Sequence, residues 1–325
     1  MSLIRLDLTA LLASGQITPE DAARLSALAL PGPRGHLAVN LLLIFGALAV
    51  AAGAIALVPD AGTGLLLALG ALAGAEVLRR QMTGESFALL AAALALMGTL
   101  GLAGWVGWQF QDAPATAPAL LITLILTAGA LWYRSAFLAA LAVLALGAVF
   151  GSGTGYWHAS YALFVGEPLI TLAVFGALAG GIYRLRARLG ERLAESWQSL
   201  ATVAARTSLI LVHFAFWVGS LWGDAVGDSW LAYDGRPEAA FVPAMVFSLG
   251  WAALSLALTL ATPRGGFLSV GGAVFLAIHG YTQYFETFGA EPLSLLIAGL
   301  LLVGLAIGVS RLIGRRAPAE LSSDG

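Results

Sequence analysis

Apolar runs long enough to cross a bilayer recur along this chain from about residue 37 to residue 313. A hydrocarbon core about 30 Å thick needs roughly 17–25 apolar helical residues. Backbone inside such a core has no water to bond with, so it must bond to itself as helix. The expectation is therefore an all-α polytopic integral membrane protein of about ten transmembrane helices. The expected spans are 37–58, 62–78, 86–108, 116–133, 135–151, 162–183, 206–222, 239–261, 265–284 and 291–313. The finest division is at 134–135, where only Arg134 and Ser135 interrupt the apolar sequence.

Composition supports the same class. The chain is 59% hydrophobic and 10% charged, where a soluble domain carries about 25% charged residues. With a net charge of −2, it also lacks the basic excess of a nucleic-acid binder. The 16 basic residues counted as Lys or Arg are all Arg. Together with the abundant Ala, Leu and Gly, this is the usage of a GC-rich bacterial genome. About 36 mostly polar residues precede the first apolar run, so that run reads as an uncleaved anchor and not as a signal peptide.

Arginine placement orients the spans. Cytoplasmic loops collect Lys and Arg. With an N-terminus inside, every Arg except Arg236 falls in an inner segment or at an inner helix end. Both termini are expected in the cytoplasm, with the spans in a bacterial inner membrane. Trp105, Trp108, Trp222, Tyr281 and Tyr284 then fall at outer helix ends, as an aromatic belt requires. Only Trp217 and Trp251 sit in mid-span.

The domain plan has three parts. Residues 1–35 read as a cytoplasmic helical hairpin. Gly15 ends its first helix, and Thr18, Pro19 and Asp21 begin the second with capping-box spacing. Ala22, Leu25, Leu28 and Ala29 would share its apolar face. Residues 36–314 form the transmembrane domain, with a cytoplasmic connector at 184–205, and 315–325 form a short cytoplasmic tail. The connector interleaves Arg with Leu and Trp and is expected as an amphipathic helix on the inner surface. Gly70 with Gly74, Gly147 with Gly151, Gly176 with Gly180, and Gly304 with Gly308 are GxxxG pairs suited to close helix packing.

Several stretches together resemble a family of bacterial membrane proteins, the domain of unknown function 2157. These are ALLASGQITPEDAARLSAL at 10–28, NLLLIFGALAVAAGAIALV at 40–58, the span ending near Gln109 and Gln111, the Tyr133-Arg134-Ser135 step, and GYTQYFETFG at 280–289. The chain departs from the family pattern after the first span, where Pro59-Asp60 stands in place of an Asn-Trp pair. The resemblance implies topology and brings no catalytic residue.

Chemistry has few residues to use. Cys is absent, and no two of the four His share a metal-ligand spacing. No nucleophile elbow, zinc-protease helix or phosphate loop occurs, so neither an enzyme nor a cofactor is expected. Glu76 should pair with Arg79 and Arg80 one turn on. The candidate polar pocket is Glu167, His279, Gln283 and Gln109, with His213 in mid-span. Ionisable groups in spans are costly and mark function by default. Glu167 has two readings. It lies one or two turns inside a span starting near 162, or it is a solvated residue at a helix start.

Two functions follow. The first is a transporter-like or permease-like protein for a small solute, since ten spans allow two inverted five-span halves. The second is a non-enzymatic scaffold or sensor that docks a protein partner through residues 1–35. The lipid bilayer is the partner common to both.

Overall fold

A computed structural model describes residues 8–28, 46, 49, 60–82, 84–157, 160–227, 240–263, 266–289 and 291–314. It is mostly helical, at 83%. Six described helices are long and apolar enough to cross a membrane. Their surfaces carry many exposed large apolar side chains, among them Leu66, Leu124, Leu185, Met245 and Leu260. Contiguous apolar surface of this kind is what contact with lipid requires.

The chain divides into two units, 1–109 and 110–325. The first unit contains α1 (Leu8–Ala13), α2 (Pro19–Leu28), α3 (Ala61–Gln81) and α4 (Glu85–Gln109). Gly15 ends α1 at φ 69°, in the left-handed region that favours glycine. Asp21 N–H donates to Thr18 Oγ1 at 3.1 Å, and Thr18 N–H donates to Asp21 Oδ2 at 3.4 Å. This is the reciprocal cap expected from the sequence. Ala22 is buried, whereas Leu25 of the same expected face is exposed. Ala29, the first expected span apart from residues 46 and 49, and the tail lie outside the described residues. Asp60 caps α3 through the Gly62 N–H at 2.6 Å. At the other end of α3, Glu76 pairs with Arg79 at 2.8 Å and with Arg80.

The second unit holds α5 (Thr116–Tyr133), α6 (Ala136–Val149), α7 (Pro168–Leu189), α8 (Glu195–Trp222), α9 (Ala244–Ala261), α10 (Phe267–Phe288) and α11 (Pro292–Gly314). Helix α8 is its centre and packs against α6, α7 and α9. Of its most apolar window 39% is buried, against 28% or less in the other membrane-length helices. Arg134 ends α5 with φ 53°, and the Ser135 side chain caps α6 by accepting from Leu138 N–H. Two residues therefore suffice to break the apolar run. At 14 residues, α6 is about 21 Å long, less than the bilayer core. Helix α10 is long enough at 22 residues but too polar to rank with the six.

Several expectations change. The mostly helical class stands, with two short strand pairs added to it. Strands β1 (Ser152–Trp157) and β2 (Ser160–Val165) pair antiparallel, with Ser152 opposite Val165 and Trp157 opposite Ser160. Strands β3 (Asp224–Ala225) and β4 (Phe241–Val242) form a second short pair. The expected span at 162–183 therefore starts late, because 160–165 is strand and the helix opens at Pro168. The connector at 184–205 is not a separate helix. It comprises the end of α7, a 3-10 turn at Gly190–Arg192, and the first turns of α8. Among the described residues, nothing lies within 4 Å of a Cβ built on Gly70, Gly176, Gly180 or Gly304. Close approach occurs at Gly272 instead. A Cβ there would lie 2.7 Å from the Ser255 carbonyl oxygen, so α9 and α10 cross nearly backbone to backbone.

Candidate functional site

The second unit has two polar clusters. The first sits where α7 begins. Pro168 takes the first helical position, where a missing N–H costs nothing. The next amide, Leu169 N–H, donates to Asp224 Oδ2 at 2.7 Å. Asp224 reaches it because α8 ends at Gly223, whose φ of 72° turns the chain into β3. A Cβ at Gly223 would also strike the Val242 carbonyl and the Phe241 ring. Glu167 Oε2 accepts from Gly227 N–H at 2.6 Å. Two loops thus exchange carboxylates and amides around one corner.

Both carboxylates are out of solvent, Glu167 at 0% exposure and Asp224 at 4%. Burial, followed by the negative charge of Glu167, pushes the Asp224 carboxyl above its ordinary value, against the opposing Leu169 N–H bond. Ser152 Oγ and Thr171 Oγ1 are buried without a hydrogen-bond partner among the described residues. Thr171 is one turn from Glu167, to whose carbonyl its N–H donates at 2.9 Å. At this corner the Asp224 carboxyl is the group that burial makes hold its proton more readily than a free carboxylic acid does.

The second cluster lies in mid-bundle. Trp251 of α9 is fully buried, and its Nε1 donates to His213 Nδ1 of α8 at 3.0 Å. That bond leaves the His213 proton on Nε2. The His213 ring stacks on Phe275 of α10, with centroids 3.9 Å apart and planes at 5°. His279 of α10 packs on the other side of the cluster, 4.9 Å from Trp251. His279 Nδ1 and Gln283 Nε2, one turn apart, are buried with no partner among the described residues.

The expected pocket is therefore redistributed. His213, His279 and Gln283 come together around Trp251. Glu167 belongs with Asp224 near the end of α8, beyond about nine helical residues or roughly 13 Å of axis from His213. Gln109 ends α4 in the first unit and is exposed. Neither reading of Glu167 holds as stated, because it precedes the first helical residue yet is fully buried. Sequence reasoning missed Asp224 as a site residue, since an acidic residue in a loop reads as solvated. Trp251 did carry a signal, as a Trp in mid-span away from the aromatic belt. Among the described residues no group of three or more His, Asp or Glu is placed to hold a metal. No family model, no curated protein and no solved structure matches the chain.

Proposed function

We propose that the chain is a permease-like, multi-pass protein of the bacterial inner membrane, with both termini cytoplasmic and a small cationic or proton-donating solute. One observation carries the reading. Glu167 and Asp224 are both buried where α7 begins. A fold that gains nothing from two carboxylates in low dielectric normally excludes them. The ring of His213, Trp251, His279 and Gln283 is the next polar station along α8, α9 and α10. The ten-span count and a place in the family resembled by residues 10–28 and 280–289 belong to the same proposal.

The test uses full-length protein in liposomes on a solid-supported membrane. Jumps of choline chloride, guanidinium chloride or protons should give transient currents that Glu167→Gln abolishes. Currents equal in wild type and variant, or none with any of the three, would overturn the proposal.

A second reading rests on the capped hairpin α1–α2, whose Leu12 and Leu25 are exposed. It makes residues 1–35 a partner-docking module. Crosslinking with and without that segment tests it, and an unchanged partner set would sink it.

A further inference from the structure

The end of the second unit formed by the short turns after α7 and α9 carries an open pocket of ≈ 200 Å³. Tyr183 and Arg186 of α7, Thr202 and Arg206 of α8, and Gly266 and Phe267 at the start of α10 line it. Among the described residues its charged lining consists of two guanidiniums, with no Asp or Glu. Neither arginine has an ion-pair partner among the described residues. Two cations lining one pocket give it a positive potential that a bound anion would meet.

The arginines are also organised. Arg206 Cζ stands 4.5 Å from the centroid of the Phe267 ring, which holds the planar group at the cavity wall. Helix α10 begins at that wall with no side-chain cap. Its first amides have no intrahelical acceptor and lie at the positive end of the helix dipole. Thr202 spends its hydroxyl proton on the Gln198 carbonyl at 2.5 Å, so the donors available to a ligand are chiefly the guanidiniums and amides. The guanidinium fork fits phosphate oxygens in a bidentate manner. Three membrane-length helices, α7, α8 and α9, start or end beside the cavity, and Phe267 and Leu268 give it an apolar edge.

We infer that this cavity is a phosphate-binding site, taking the phosphate group of an anionic lipid headgroup or of free inorganic phosphate. The inference is independent of the solute proposed for Glu167. A merely solvated basic face would need neither a pocket lined by both arginines nor a guanidinium set over an aromatic ring.

The test uses purified full-length protein in detergent. One arm measures retention of phosphatidylglycerol by native mass spectrometry. The other titrates inorganic phosphate against chloride at matched ionic strength and follows thermal unfolding. The cavity variant is Arg186→Gln with Arg206→Gln. The control is Arg184→Gln with Arg188→Gln, two exposed arginines of the same helix that do not line the cavity. Thr202→Leu fills the space without touching the charge and serves if the double variant does not fold. The cavity variant and Thr202→Leu should each bind about tenfold more weakly, with the control unchanged. A response to lipid alone assigns the headgroup, to phosphate alone the free ion, and to both the shared oxyanion chemistry. The inference fails if wild type binds neither probe, if the control loses as much as the cavity pair, or if Thr202→Leu binds undiminished.

Discussion

The two ends of the second unit treat charge in opposite ways. At one end the connections are strand pairs, β1–β2 and β3–β4, and the charges there are carboxylates driven out of water. Glu167 and Asp224 are compensated by backbone amides of Gly227 and Leu169, each from a distant part of the chain. At the other end the connections are tight turns, and the charges are arginines kept at the surface. Arg134 lies 5.4 Å from the Trp197 ring, and Arg206 lies over Phe267. A carboxylate can be satisfied by fixed amides, here one in the turn after β3 and one at the start of α7. Two of the guanidiniums at this end instead lie over aromatic faces, where the ring attracts the cation while its rim stays open to water. The carboxylate end is therefore rigid and costly to alter, while the arginine end is adaptable.

The comparison depends on a rigid middle, and the most severe way to break it is to remove Trp251. That residue is fully buried and holds His213 through its indole N–H. Trp251→Ala should cost about 3–5 kcal/mol, from the cavity and an orphaned imidazole nitrogen together. The check is thermal unfolding in detergent, with Trp251→Phe as reference, since Phe restores packing but not the hydrogen bond. Equal losses in both variants would show that the bond, not the volume, dominates.

The second effect isolates the carboxylate end. Asp224→Ala leaves the Leu169 N–H buried without its acceptor and should cost about 2–3 kcal/mol. Asp224→Asn keeps an acceptor oxygen and should recover most of that. If Ala and Asn are equally tolerated, the bond at 2.7 Å does not secure the start of α7.

A pH profile sharpens the same point. The Asp224 carboxyl is raised above its ordinary 3.8, by burial and then by Glu167. The folded protein therefore binds this proton more tightly than the unfolded chain does. Stability contributed here increases as pH falls through the raised value towards 3.8, and is absent above that window. Unfolding midpoints at a series of pH values should show this slope in wild type and lose it in Asp224→Asn. An identical profile in the variant would assign the slope to another group.

How legible this contrast is from sequence depends on how local its causes are. Helix α5 runs over Thr116–Tyr133 as the apolar run alone implies, and the Arg134-Ser135 step is readable because Ser is a cap. Glu76 with Arg79, and Thr18 with Asp21, are equally local. The strand pair at 152–165 is not legible. Tyr, Trp, Phe and Val in a short run suit either a strand or the start of a helix. The burial of Glu167 is invisible because its donor is 60 residues away, and the Trp251–His213 bond spans 38. Glycine spacing misled for a related reason. GxxxG says that a helix can be approached closely, not that a neighbour stands there. At Gly272 one does, and at Gly176 and Gly180 none does among the described residues.

The smallest expected effect tests the adaptable end. Arg206→Ala removes one guanidinium from an exposed aromatic face and should cost only about 0.5–1 kcal/mol of stability. Arg206→Lys should cost less still, because an ammonium keeps some attraction to the Phe267 ring. Phosphate binding should not follow that order. Lys cannot offer the planar fork, so Arg206→Lys should bind nearly as weakly as Arg206→Ala while unfolding almost like wild type. That separation of stability from binding is what an adaptable, ligand-facing end predicts. A loss of stability from Arg206→Ala as large as that from Asp224→Ala would remove the contrast between the two ends.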